Sequence, residues 1–591
     1  MKKFFLIVSI ILLSASAFAA TVSVKNFGAA GDGKTDDTKA FKDALQSVAA
    51  DGGIVNVPAG KYCLRGNLSV PAGVTLQGEW NSAPIVLKGE NEPSNTVLMA
   101  YAGRGDASAE PFIRMNTCSS LRGVAIYYPE HSVKDVPPVP YPPCIYAERT
   151  DNVEIENVNI ENAYDGVVLK KSGRFYVDNL QGYPIHTGFK VDGCYDIGRI
   201  ENVHFWPFGI FYTGLDPYCK WINENGTAFE FNRTDWQYCT NCFCFGYGVG
   251  YKFKNDGDGS PNGSFVAIGA DSCNISVLVE DTDFTGISII HGEFTGSWGN
   301  NTSKGIVIKS GKGAEKSKIS VVNTAFWGPL VSCVECDNPI ASLTLSACRF
   351  CEWDRNCDAA PAVDLIRGRA VITGNTFDEN YRDIRIGKAM GSVVISSNIS
   401  EGGLKVTNNS GRFVNLTDNE PAPAPMNITE KKHYILNVGM PGDTPYLENF
   451  YKQEPATGIG GGFVKPAEQT KGQRWTHTGA AVKLPVIAGR KYRLRMQAGI
   501  REGSLCDGAG FYLGGKRLIS VTKAGEQYFE CDVTPESDVL RLDVKSGAWS
   551  PANPNEKQPD LRTLGLLVRS IEMTADGCEK LPAAAANRKC Y

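Results

Sequence analysis

Three acidic residues stand where a carboxyl could do proton chemistry. Asp235 falls in Gly226-Thr227-Ala228-Phe229-Glu230-Phe231-Asn232-Arg233-Thr234-Asp235-Trp236, Asp271 in Ile268-Gly269-Ala270-Asp271-Ser272-Cys273, and Glu293 in His291-Gly292-Glu293-Phe294. Breaking a glycosidic bond needs one carboxyl that keeps its proton for the leaving oxygen. It needs a second, ionised one that activates water or attacks carbon. Each acid also has a plainer reading. Asp235 beside Arg233 and Trp236 reads as a surface pair, Asp271 as a turn cap, and Glu293 as a solvated ladder edge. Of six histidines, His204 is the fourth catalytic candidate, because an outward imidazole near acids can move a proton. Arg233, Trp236, Trp206, His291, Arg349 and Tyr128 are the candidate substrate contacts, since rings and long polar side chains suit sugar faces and hydroxyls.

A repeat has to position these groups. From about residue 150, alternating apolar strands end in a polar residue followed by Phe or Ile. The copies include Val153–Ile160, Ile200–Phe205, Ile287–Phe294, Ile319–Phe326, Leu343–Phe350, Val371–Phe377 and Val393–Ile399. Residues 325, 349, 376 and 398 are separated by 24, 27 and 22, which suits one coil of a parallel β-helix. Period-two alternation then points Phe205, Phe294, Phe326, Phe350 and Phe377 inward. The residues before them form an outer column of Asn159, His204, Glu293, Ala325, Arg349, Thr376 and Asn398, with His291 sharing the face of Glu293. Between 204 and 293 a single intermediate rung, near 239–245, is legible, so a widened, loop-bearing region is expected there.

Beyond the repeat, Pro421-Ala422-Pro423-Ala424-Pro425 reads as a stiff linker over 421–432. Residues 433–591 carry alternating strands such as Tyr492–Ala498 and Val539–Val544 and are expected to form an antiparallel β-sandwich. Residues 1–20 have Lys2 and Lys3, an apolar run from Phe4 to Leu13 and Ala17-Phe18-Ala19. That is the pattern of a secretory signal peptide, predicting a secreted or periplasmic protein with no membrane partner. Removing the two signal lysines leaves 58 basic residues against 64 acidic ones, so nothing favours a nucleic-acid partner. In an exported chain the eighteen cysteines are expected as disulfides and buried thiols. Cys333-x-x-Cys336 and Cys348-x-x-Cys351 have zinc-like spacing, but alternation sends Cys348 inward and Cys351 outward, which argues against a common metal. Asp256-Gly257-Asp258-Gly259 opens like a calcium loop but lacks the terminal Glu. The expectation is therefore no cofactor and no metal site, calcium being the one candidate.

The segment Val24-Lys25-Asn26-Phe27-Gly28-Ala29-Ala30-Gly31-Asp32-Gly33-Lys34-Thr35-Asp36-Asp37-Thr38 leads into a helix whose Phe41, Ala44, Leu45 and Val48 share one face. Thr35, Asp36 and Asp37 are candidate helix caps rather than catalytic acids. This stretch resembles the opening of the pectate-lyase superfamily. The resemblance implies an all-β chain: a right-handed parallel β-helix over 21–420 with an N-terminal capping helix, then the sandwich. It also implies a polysaccharide substrate. The polygalacturonase signatures, the pectate-lyase Trp-Ile-Asp-His and the epimerase Asp-Pro-His are absent, so no residue roles carry over. The leading expectation is a glycoside hydrolase acting on a plant or algal polysaccharide. A uronate lyase working by β-elimination and a non-catalytic glycan-binding adhesin are the alternatives.

Overall fold

The computed structural model describes residues 20–80, 95–207, 216–296, 302–311, 317–356, 359–379, 381–420, 430–440, 443–451, 454–455, 472–551 and 562–578. The expected signal peptide, apart from Ala20, and most of the expected linker lie outside them. Two compact units are present, residues 1–212 and 213–591.

In the first unit, strands stack in parallel coil upon coil. Ile113–Met115, Ile145–Glu148, Asp165–Lys170 and Thr187–Asp192 form one wall, with Ile145 opposite both Ile113 and Val167, and Val167 opposite Phe189. Ser120–Tyr127, Glu154–Ile160, Tyr176–Gly182 and the short strands at Arg199–Glu201 and His204–Phe205 continue the coils. A helix, Thr38–Ser47, begins where the sequence places it and buries Phe41, Ala44 and Leu45. Its cap comes from Asp36, whose carboxylate accepts from the Thr38 N–H at 3.0 Å. Asp37 turns away to accept from the Ala30 and Gly31 N–H groups at 2.6 and 3.1 Å.

In the second unit each coil has three strands. The first wall runs through Thr227–Phe231, Val249–Phe253, Ile275–Val279 and Lys304–Lys309. A second runs through Gln237–Thr240, Gly263–Val266, Ile287–Ile290 and Ser317–Val322. The third runs through Phe243–Phe245, Gly269–Asp271, Glu293–Thr295, Ala325–Trp327, Arg349–Cys351, Thr376–Phe377 and Ile399–Ser400. On this wall Phe294, Phe326, Phe350 and Phe377 are buried as alternation requires. Their ring centroids lie 5.6, 5.1 and 4.7 Å apart in order up the stack. Burying each ring contributes roughly 1.5–3 kcal/mol.

Two residues turn the chain from the second wall to the third, and the first of them is left-handed: Asn241, Ala267, His291, Asn323, Ala347, Gly374, Ser397 and Asp418 all have φ between 48° and 67°. Glycine and asparagine adopt this conformation at least cost, as Asn241, Asn323 and Gly374 do here. The second turn residue points inward. There Asn375, Asn398 and Asn419 form a ladder, each side-chain N–H₂ donating to a carbonyl of the coil below while its oxygen accepts backbone N–H. Satisfied this way, buried amides bind coil to coil.

The turns correct the expected outer column in three places. Asn398 is a buried ladder residue, and Ile399 is the residue opposite Thr376. Asn159 keeps register with Gln181 and His204 but is fully buried. His291 does not share the face of Glu293, because it occupies the left-handed turn, 2.7 Å from Asn323 Nδ2. The widened region also shrinks. Gly269 is a rung between Phe243 and Glu293, at spacings of 26 and 24, hidden in the sequence because Ala270 takes the inward place of Phe.

The C-terminal strands are antiparallel. Tyr492–Ile500 lies between Leu566–Ala575 and Gly525–Val533, while the long strand Gly472–Pro485 pairs with Leu566–Ala575 near Trp475 and with Val539–Lys545 from Gly479 onward. Leu494, Met496, Phe511, Leu542 and Ile571 share one buried cluster. Buried Arg474 joins this part to the last coil, bonding Asp443 at 2.9 Å and Glu401 at 3.2 Å. All sixteen described cysteines are free thiols, so the expected disulfides are not formed among them. Ten of them are buried, where they fill the core as small hydrophobes. Cys348 points inward and Cys351 is partly exposed, as alternation predicts.

Candidate functional site

The third wall of the second unit carries the densest exposed chemistry. Gly269 is opposite Glu293, and Ala270 opposite Phe294, so Asp271 and Glu293 are diagonal neighbours on adjacent rungs. With strands about 4.8 Å apart and about 3.3 Å per residue, their Cα atoms are about 8 Å apart. Ala270 and Phe294 between them face the core, which turns both acids outward. Burial by its surroundings raises the Asp271 pKa, a hydrogen bond from Ser272 Oγ at 2.9 Å opposes this, and the charge of Glu293 raises it further. Among the described residues neither acid forms an ion pair with Lys or Arg. Glu293 is exposed to water.

The strip continues upward. Ala325 stands over Glu293 and Arg349 over Ala325, so Arg349 lies two rungs, about 10 Å, from the glutamate. Arg349 Nε donates to Asp378 at 2.7 Å. Trp327, opposite Thr295, is 45% exposed. Trp327 and Asp378 were missed in the sequence, although each follows an inward Phe and alternation alone would have found it.

Asp235 is not part of this strip. It lies in the loop between the first and second walls, preceding Gln237–Thr240, at another corner of the coil. Arg233 holds it at 2.9 Å and lies 3.7 Å from Asp283. Burial raises the Asp235 pKa, the Arg233 charge lowers it, and Asp283 raises it again. Trp236, at φ 51°, is 63% exposed and its backbone N–H donates to Asn262 Oδ1 at 2.6 Å. The three acids read from the sequence thus divide into a pair and a separate arginine-held cluster. Asp256, in the calcium-like segment, is bonded by Asn232 Nδ2 at 2.9 Å and lies 3.7 Å from Lys254.

In the first unit His204 is exposed beside Gln181, and burial by its surroundings lowers its pKa, keeping the imidazole neutral at pH 7. Trp206 is half-buried. Tyr128 is corrected. It is fully buried, edge-on to Tyr141 at 5.0 Å and Phe112 at 6.2 Å, so no substrate reaches its ring. Two groups here escaped the sequence reading. Glu161 is buried, accepts from Asn159, and has its pKa pushed up to about 8 by that burial. His186 Nδ1 lies 2.8 Å from Asp165 and its ring stacks on Tyr164 at 4.6 Å.

Residues 21–205 match the family described as rhamnogalacturonase A/epimerase, pectate lyase-like. A probable glucan endo-1,3-beta-glucosidase of Arthroderma benhamiae is 37% identical over 84 residues, covering 14% of this chain and 10% of its own. A polygalacturonase of Arabidopsis thaliana is 58% identical over 48 residues, 8% of this chain and 11% of its own. The chain therefore spans about a tenth of the length of these curated relatives. Among solved structures, the A-module of a mannuronan C-5 epimerase of Azotobacter vinelandii aligns at 15% identity and TM-score 0.35, covering 68% of this chain and all of that one. An exopolygalacturonase of Thermotoga maritima aligns at 11% identity and TM-score 0.33, covering 67% and 93%. The match over residues 21–205 falls on the coils that stack in parallel as described.

Proposed function

We propose that this protein is a glycoside hydrolase that cleaves a polysaccharide along the third wall of its second unit. The observation that carries the reading is the Asp271–Glu293 pair: two outward carboxyls on adjacent rungs, one made more basic by burial and by the other's charge. Asp271 keeps its proton and delivers it to the leaving oxygen. Glu293, exposed to water, activates the attacking water. Their diagonal spacing leaves room for that water, the arrangement of an inverting enzyme. Arg349 and Trp327 then lie along the strip where further sugar units would run, the ring under a pyranose face and the guanidinium on hydroxyl oxygens.

The curated relatives include a polygalacturonase and a glucan endo-glucosidase, which supports a carbohydrate substrate of this class. The amino-terminal sequence supports export, with the substrate met outside the cytoplasm. Reducing-sugar release across a panel of plant and algal polysaccharides tests the reading, with product absorbance in the ultraviolet recorded alongside. Hydrolysis predicts new reducing ends without absorbance, and proton NMR of the first product should show inverted anomeric configuration. An unsaturated, absorbing product would replace hydrolysis with β-elimination.

A further inference from the structure

A cavity of about 260 Å³ lies in the second unit, where the last coils meet the C-terminal strands. Trp353, Tyr381 and Tyr451 line it together with Glu352, Glu379, Arg355 and Arg562. The three rings are set edge to face, Trp353 to Tyr381 at 5.5 Å and Tyr381 to Tyr451 at 6.1 Å. Arg562 covers the Tyr451 ring at 5.5 Å and is neutralised by Glu454 at 2.6 Å. Glu379 is buried, with one carboxylate oxygen accepting the Glu352 N–H at 3.1 Å. Trp353 is 1% exposed, and its indole N–H has no acceptor. An orphaned buried donor is costly and calls for a partner.

Aromatic walls, carboxylate acceptors, one of them buried, and an unpaired donor in a space of this size are the recognition chemistry of one sugar ring. We infer that the junction binds a single neutral pyranose unit, separately from the Asp271–Glu293 strip. Neutrality follows from the walls, where Glu352 and Glu379 balance Arg355 and Arg562, and Arg562 is paired with Glu454 besides, so no net positive charge is left for a uronate carboxylate. The pocket would anchor a chain end or side branch while cleavage occurs elsewhere. Because Asp271 and Glu293 take no part, this inference stands or falls independently of the catalytic reading.

The test is saturation-transfer NMR and calorimetry on the full chain with methyl glycosides of galactose, glucose, rhamnose and galacturonic acid. At least one neutral glycoside should bind in the millimolar range, and the galacturonide at least fivefold more weakly. Trp353→Phe keeps the ring but removes the N–H and should weaken binding at least fivefold. Glu352→Gln alters an exposed residue that the fold does not need, and should weaken binding also. The Asp271→Asn/Glu293→Gln double variant should bind as the wild type does. No binding of any neutral glycoside, binding unchanged in both pocket variants, or binding lost in the double variant would each overturn the inference.

Discussion

Two acid clusters on the same coils show how one residue type can serve different ends. At the corner between the first and second walls, Asp235 and Asp283 share Arg233, and that cation offsets part of the burial of Asp235. On the third wall, Asp271 and Glu293 face each other's charge, with Ser272 donating to the Asp271 carboxyl. The first arrangement stabilises a loop. The second costs stability whenever both carboxyls are ionised, and a fold keeps such a pair where the proton is needed.

The largest expected effect separates the two. Asp271→Asn should lower kcat by about a hundredfold or more, and Glu293→Gln by a similar factor, measured as reducing ends released per minute. A control carboxyl comes next. Glu161 is buried with a pKa of about 8 against an ordinary 4.5, so its contribution to folding is complete below pH 4.5 and is lost as pH rises toward 8. Glu161→Gln should therefore stabilise the protein by about 3 kcal/mol at pH 7 and by little at pH 4, read from urea midpoints at each pH. An equal gain at both pH values would show that the group is not held protonated.

Asp235→Asn should differ from Asp271→Asn in activity. Turnover stays within a few-fold; on stability the two agree in sign, because burial outweighs Arg233 and raises the Asp235 pKa as well, so Asp235→Asn should not lose stability at neutral pH. Asp271 has a raised pKa, so its ionisation above that pKa weakens the fold. Asp271→Asn should accordingly gain stability at neutral pH, and less in acid. A subtler difference lies in pH dependence. Removing the Glu293 charge lowers the Asp271 pKa, so the residual activity of Glu293→Gln should fall off at lower pH on its basic limb than the wild type does. The smallest effect is expected at Arg349→Ala and Trp327→Ala, which should raise KM several-fold with kcat little changed.

Much of the scaffold was legible because alternation and burial leave strong marks. Phe294, Phe326, Phe350 and Phe377 fixed the inner face, and Arg349, Ala325 and Glu293 follow outward from them. Register failed where a coil departs from that mark. Ala270 in place of Phe concealed the rung that carries Asp271, and Ser400 in place of Phe moved the outer position from Asn398 to Ile399. The left-handed turn was invisible to a period of two, so His291 and Glu293 read as one face. Tyr128 and Glu161 were misjudged or missed for a different reason. Their burial depends on loops around Tyr141 and Asn162 that no local pattern encodes. Asp235 joined the wrong group because adjacency in sequence does not say which corner of a coil a loop occupies.

The most direct measurement compares Asp271→Asn, Asp235→Asn and wild type on the polysaccharide that the wild type cleaves best. Initial rates and urea midpoints would be taken at one pH. The account predicts a stable Asp271→Asn protein with turnover at least a hundredfold lower, beside an Asp235→Asn protein that still turns over. An Asp271→Asn protein with full turnover, or a stable Asp235→Asn protein without it, would place the chemistry at the arginine-held corner and contradict the account.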